Sequence, residues 1–342
     1  MTLQHQSLSG NLVRALWLGA ATGAVAMLSA CASVSPPSSA PVNVPVVAPA
    51  NAAVVTKTTT PASTHAGNCV ASRRPPAQLP RPGSMPAGSW MAHIQQRGHL
   101  IAGVDQNTFL WGYRDPSTNQ LEGFDIDMLQ AVSRAIFGDA RPVAFVVVPN
   151  ADREAAVKSG RVDVLAETMT ITCKRKKNVD FSAVYYQAGQ EILVPVHSPL
   201  TGNRQTWAGQ RMCAVAGSTS LQHLAAVPVT PPIVPVSVTN QTDCLVLLQQ
   251  GQVAAISTDD TILQGMAAQD PTLRIVGPPL APEPYGMAVS KQHPEFTAFV
   301  NGVLAQDAGH YWERAYAKWL EPYTHLARPP HQPTPTYSSS GK

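Results

Sequence analysis

The chain has 342 residues, a formal net charge of +3 and only 13% charged residues. So low a charge density excludes an extended basic face for nucleic acid, and the one basic run, 174–177, is too short to make one. Of the five cysteines, none lies in a CxxC pair or a His-rich spacing, which argues against a structural zinc site.

An apolar stretch over 15–28, rich in Ala, Leu and Gly, follows the lone Arg14 and ends at Leu28-Ser29-Ala30-Cys31. It is shorter than the roughly 20 residues a spanning helix needs. The small residues before Cys31 fit a lipoprotein signal peptide processed there, which would make Cys31 a lipidated N-terminus; the alternative is a plain secretory signal. From 32 to 87 the chain is dominated by Pro, Ala, Ser, Thr and Val, a composition expected to form an unfolded tether.

The run LIAGVD, with Asp105 at its end, reads as a first strand, followed by Phe109, Trp111 and Tyr113. Met128, Leu129, Val132 and Ile136 share one helical face over 127–137, which stops at Gly138. A strand over 142–148, a short helix over 151–159 and a strand over 162–167 follow. The strand ends at Thr168, Thr170 and Arg175, and strand ends are where open α/β sheets hold ligands. A guanidinium can take a carboxylate with two parallel hydrogen bonds, and a nearby Thr hydroxyl can add a third. The bland alternative is a solvated basic turn.

The alternation then restarts. A strand over 211–216 leads to Gly217-Ser218-Thr219 and a helix through Leu221 and Leu224, then a strand at 234–238, a helix at 242–250 and a strand at 253–257. Free N–H groups where a helix begins can hold an anion, or Ser218 or Thr219 can simply cap the helix. Asp259 and Asp260 follow; one is a candidate ligand acid and Asp260 a cap for the next helix. A strand over 287–290, a helix lined by Phe296, Phe299, Val300, Val303 and Leu304, and a last helix over 311–320 complete the folded part, with a loose tail expected at 329–342. The order implies an α/β fold with sheets covered on both faces.

Setting Cys31 aside leaves Cys69, Cys173, Cys213 and Cys244, an even number in an exported chain, so two disulfides are expected. Three pairings are possible. Cys213 and Cys244 both fall in the second α/β unit and are paired on that ground, leaving Cys69 with Cys173.

The segment TMTITCKRKKNVDFSAVYY, 168–186, is similar to the MTIT-x-x-R-x-x-x-VDFS-x-x-YY signature of polar amino-acid solute-binding proteins of bacterial ABC importers, the glutamine- and glutamate-binding type of extracellular solute-binding protein family 3. Further blocks at 103–105, 122–127, 216–219, 255–260 and 284–289 stand in the family order. The resemblance implies a two-lobed periplasmic-binding-protein fold, type II, with lobe 1 over 88–188 and 286–328, lobe 2 over 189–285, and hinge crossings near 186–190 and 284–286. It implies a monomer that binds glutamate, glutamine, aspartate or asparagine and passes it to a membrane ABC permease or presents it to a membrane sensor, with no cofactor, metal or catalytic residue.

By the same resemblance Arg175 holds the ligand carboxylate, with Thr170, Thr168, Gly217, Ser218 and Thr219 as further donors. Asp259 receives the ammonium, Phe109 forms a wall and Asp105 reaches the ligand side chain. Two positions depart from the family pattern: Thr168 stands where Gly is usual, and Ala254 where the family has an Asp. An enzyme of this fold would need a proton-transfer group in the cleft, and strand periodicity turns the one candidate, Glu167, away from Thr168 and Thr170.

Overall fold

The computed structural model describes residues 48–49, 51–56, 69–306, 310–324 and 330–338. The expected signal sequence and Cys31 lie outside the described residues.

Two sheets organise the fold. The first has strand order Val143–Val147, Leu100–Val104, Val164–Leu165, Ala288–Val289, Asp180–Phe181, its first three members parallel. The second runs Val234–Val238, Arg211–Val215, Ala255–Asp259, Tyr186–Pro195, Leu273–Val276, beginning parallel and ending antiparallel. The central strands, Leu100–Val104 and Val164–Leu165 in the first sheet and Arg211–Val215 and Ala255–Asp259 in the second, are almost wholly buried, as parallel strands covered on both faces require, whereas the edge strand Val143–Val147 is not. The result is a two-lobed α/β fold.

Two strands cross between the lobes, Tyr186–Pro195 outward and Pro282–Tyr285 on the return, and they pair antiparallel with Tyr185 and Tyr186 packed beside Tyr285. The chain then enters the first sheet as Ala288–Val289, between Val164–Leu165 and Asp180–Phe181.

The helix Phe124–Phe137 begins three residues before the expected start. Gly123, at φ 132°, makes the turn into it, and a Cβ there would sit 2.2 Å from the Trp111 carbonyl oxygen. Asp125 and Asp127 occupy the first turn, where the helix dipole favours acids. Its far end closes at Gly138 in the left-handed conformation.

The expected tether and tail need correcting over their described parts. Ala53–Val54 adds an antiparallel strand to the edge of the second sheet. Residues 69–87 pack on the first lobe: Cys69 is bonded to Cys173, the Lys176 ammonium donates to the Ala71 carbonyl, Arg73 pairs with Asp180 at 2.7 Å, and Met85 is buried. The tail docks too. Ser72 bridges Tyr337, and Asn301 donates to both the Ser72 hydroxyl and the Arg73 carbonyl. Polar, proline-rich segments fold here because their backbone groups find specific partners, which composition does not reveal. The second disulfide, Cys213–Cys244, joins a strand to a helix inside the second lobe.

Candidate functional site: an interlobe cleft

Leaving the strand Val164–Leu165, the chain runs alongside the return crossover. Thr170 bridges Tyr285, Ile171 N–H donates to the Pro284 carbonyl at 2.7 Å, and Gly286 N–H donates to the Met169 carbonyl at 3.1 Å. That pairing fixes Thr170 between the lobes. Thr172 then accepts from the Arg175 N–H at 3.1 Å, starting the one-turn helix Arg175–Lys177 and directing the Arg175 side chain back toward Thr170.

Arg175 is buried, and its guanidinium reaches both lobes: Nη1 donates to the Thr170 carbonyl at 2.7 Å and Nη2 to the Gly217 carbonyl at 3.1 Å. Burial, and next the charge of Arg153, lower its pKa to about 9, which leaves it cationic at neutral pH. The lobes meet closely at Gly217 (φ 77°), where a Cβ would lie 2.7 Å from the Cα of Ala151.

A buried acid stands near this guanidinium. Glu283, in the return crossover, is fully buried, and its Oε2 accepts from the Thr170 hydroxyl of lobe 1 and from the Thr219 hydroxyl of lobe 2 at 2.9 Å. Glu283 Oε1 accepts no hydrogen bond from the described residues. His223 Nδ1 lies 3.4 Å from it, but that ring nitrogen also lies 2.7 Å from the Gln190 amide oxygen. Because the Gln190 amide nitrogen donates to Ser257 Oγ and to the Ser220 carbonyl, its oxygen is the acceptor, so His223 carries its proton on Nδ1 and spends it there.

These groups enclose a cavity of about 200 Å³ whose lining includes Thr170, Arg175, Gly217, Thr219, His223 and Glu283. That is below the 300–1,000 Å³ typical of drug-sized ligands, and suits a small metabolite.

Of the nine residues expected to bind ligand, Thr170, Arg175, Gly217 and Thr219 come together in this lining and five do not. Asp105 accepts from the Gln106 N–H at 2.7 Å and from the Thr108 hydroxyl, holding its own turn. Phe109 packs edge-on against Tyr113 and Tyr323, at 5.0 and 5.8 Å between centroids. Thr168 sits at φ 42° with its N–H donated to Asp125 at 2.8 Å. Ser218 is a helix cap, its hydroxyl accepting from the Leu221 N–H at 3.0 Å and donating to the Val215 carbonyl at 2.7 Å. Asp259 is buried and accepts from the Tyr285 hydroxyl at 2.5 Å. Burial, followed by the neighbouring Glu283, pushes the Asp259 carboxyl well above the usual carboxylate range. Asp260 accepts from the Thr261 and Gly189 N–H groups, tying its helix to the outward crossover.

Glu283 and His223 were not among the expected residues. A period-two reading of Pro282–Tyr285 would have placed Glu283 on the same face as Tyr285, but two prolines disguise the strand.

Residues 100–322 match the model of the bacterial extracellular solute-binding proteins, family 3. The chain belongs to that family. It is similar to the ABC transporter glutamine-binding protein GlnH of Bacillus subtilis, with 34% identity over 68% of this chain and 84% of the relative. It is also similar to the glutamine-binding protein of Geobacillus stearothermophilus, with 36% identity over 58% of this chain and 75% of the relative. Among solved structures, an ancestral arginine-binding protein bound to arginine aligns with a TM-score of 0.60 at 31% identity, covering 66% of this chain and 99% of that one. The solute receptor for L-cysteine of Neisseria gonorrhoeae aligns with a TM-score of 0.63 at 25% identity, covering 68% and 94%. A family of extracellular binding proteins accounts for a cleft whose polar groups come from both lobes and from the strand between them.

Proposed function

We propose that this chain captures a polar α-amino acid, of the glutamine, glutamate, asparagine and aspartate class, between its lobes and delivers it as a monomer to the membrane permease of an ABC importer. It does so as a binding protein, with no chemical step. The single observation that carries this reading is Arg175: a buried cation that spans the cleft, with only two of its five N–H donors given to backbone carbonyls. A guanidinium enclosed in this way favours a small anion that can use the remaining donors, and an α-carboxylate matches them in charge and geometry.

The two crossover strands supply the hinge by which the lobes part and shut. Closure removes water, so fixed charges act on the ligand at lower effective dielectric. The relatives named for glutamine and for glutamate support the ligand class. We place the mature N-terminus at a lipidated Cys31, which would hold the protein at the outer face of the cell membrane through its proline-rich leader.

Calorimetric titration of the mature protein with each of the twenty amino acids tests the proposal. Saturable binding of at least one amide or acidic amino acid is expected. Heat from none of the twenty would refute it.

A further inference from the structure

We propose that the leader segment Cys69–Arg73 positions Arg175, acting as a splint for the turn that carries its guanidinium; the inference rests on the amino-acid reading above and adds a second part of the chain to that site. The turn has little of its own to hold it. From 172 to 178 only Arg175 is buried, so no buried apolar side chain fastens this stretch to the core between Ile171 and Val179. The helix Arg175–Lys177 is a single turn, too short to keep its shape unaided. Inside it the Lys176 N–H donates to the Thr172 carbonyl at 3.0 Å and the Asn178 N–H to the Arg175 carbonyl at 2.9 Å, while the Asn178 side chain donates to Glu154 at 2.6 Å.

The leader adds fastenings on both sides of Arg175. Cys69 is bonded to Cys173, just before it, and the Lys176 ammonium, just after it, donates to the Ala71 carbonyl. Farther along, Arg73 pairs with Asp180 at 2.7 Å and the Ser72 hydroxyl donates to the Phe181 carbonyl at 2.6 Å. The splint is itself anchored. Asn301, on the helix Pro294–Gln306, donates to the Ser72 hydroxyl at 2.7 Å and to the Arg73 carbonyl at 2.6 Å. Cys173 also lines the cavity, so the leader's covalent attachment lies at the edge of the site. A guanidinium whose turn is held in this way meets a carboxylate without first having to be ordered, which raises affinity by lowering the entropy lost on binding.

The test compares L-glutamine with L-glutaminamide, whose α-carboxylate is replaced by a neutral amide, in the wild-type protein, C69A/C173A, R73A and, as a control, C213A/C244A. If loosening the turn costs the site about one residue of backbone order, C69A/C173A should lose about 10-fold of its preference for glutamine. R73A should lose less in the same direction, and it reads the splint if the double variant folds poorly. C213A/C244A should keep the preference, because general loosening weakens both ligands alike. Hydrogen exchange without ligand gives a second reading: the amides of 172–179 should exchange at least about 10-fold faster in C69A/C173A and not in C213A/C244A. An unchanged preference in both C69A/C173A and R73A, or a turn that exchanges no faster, overturns this inference alone. Failure of the wild-type protein to bind any of the twenty amino acids overturns the functional reading, and the exchange measurement then still judges the splint.

Discussion

Thr219 donates a 2.9 Å hydrogen bond to Glu283, and the same carboxylate oxygen accepts from Thr170 across the cleft. One oxygen on the return crossover thus ties lobe 1 to lobe 2. Arg175 makes the complementary tie by donating to a carbonyl of each lobe. Under the proposed function these are the groups that a dipolar ligand would engage, so ligand capture and contact between the lobes would share one set of hydrogen bonds.

Arg175→Ala should lower amino-acid affinity at least about 100-fold, because a carboxylate enclosed without its cation is strongly disfavoured. Arg175→Lys should recover only part of it, since an ammonium cannot donate in two parallel bonds. Titration calorimetry reads both, and equal affinities for Arg175→Ala and wild type would dismiss Arg175 as the carboxylate partner.

Thr168 is a β-branched residue at φ 42°, a left-handed conformation that glycine adopts without penalty. Thr168→Gly keeps the N–H bond to Asp125 and should stabilise the fold by about 0.5–1 kcal/mol, after allowing for the greater chain entropy that glycine adds. Urea denaturation checks this; a destabilised variant would mean that the Thr168 side chain offsets its backbone strain.

Asp125 is buried, accepts from the Tyr185 hydroxyl at 2.5 Å, and has its pKa raised to about 7, chiefly by burial. In the unfolded chain an Asp loses its proton near pH 4, whereas the folded protein keeps this one up to about 7. Between those values the folded state binds more protons, so stability should fall as pH rises, by up to about 1.4 kcal/mol per pH unit for this one group. Urea midpoints measured from pH 4 to 8 should show the decline, and D125N should flatten it. An unchanged slope in D125N would assign the effect to other buried acids, Glu167 and Asp259 first.

The Cys69–Cys173 bond closes a loop with a sequence separation of 104 residues. Replacing both cysteines by Ala should cost about 2–4 kcal/mol, the usual contribution of a native disulfide, and should leave Cys213–Cys244 intact. Denaturation together with thiol counting reads the outcome; a loss below about 0.5 kcal/mol would show that the noncovalent contacts of 69–87 suffice to dock that segment.

Much of this was readable before any coordinates. Short β-branched runs and the glycine stop at Gly138 marked the alternation of strands and helices, and the family signature pointed to Thr170, Arg175, Gly217 and Thr219, which line one cavity. Local patterns do not carry long-range partners. Asp259 and Glu283 both lie in or beside strands, and nothing local to either predicts that Asp259 is engaged by the Tyr285 hydroxyl while Glu283 accepts from Thr170 and Thr219 on opposite lobes. Ser72 in a proline-rich stretch looks solvated until Asn301, 229 residues away, donates to it. Ser218 can be read from sequence as ligand donor or cap, and its hydroxyl accepts from the Leu221 N–H as a cap does.

A crystal structure of the protein grown with the amino acid that binds it most tightly tests the central claim most directly. The account predicts density between the lobes with the ligand carboxylate within about 3 Å of the Arg175 guanidinium. A ligand seated elsewhere, or one whose carboxylate faces away from Arg175, would contradict it.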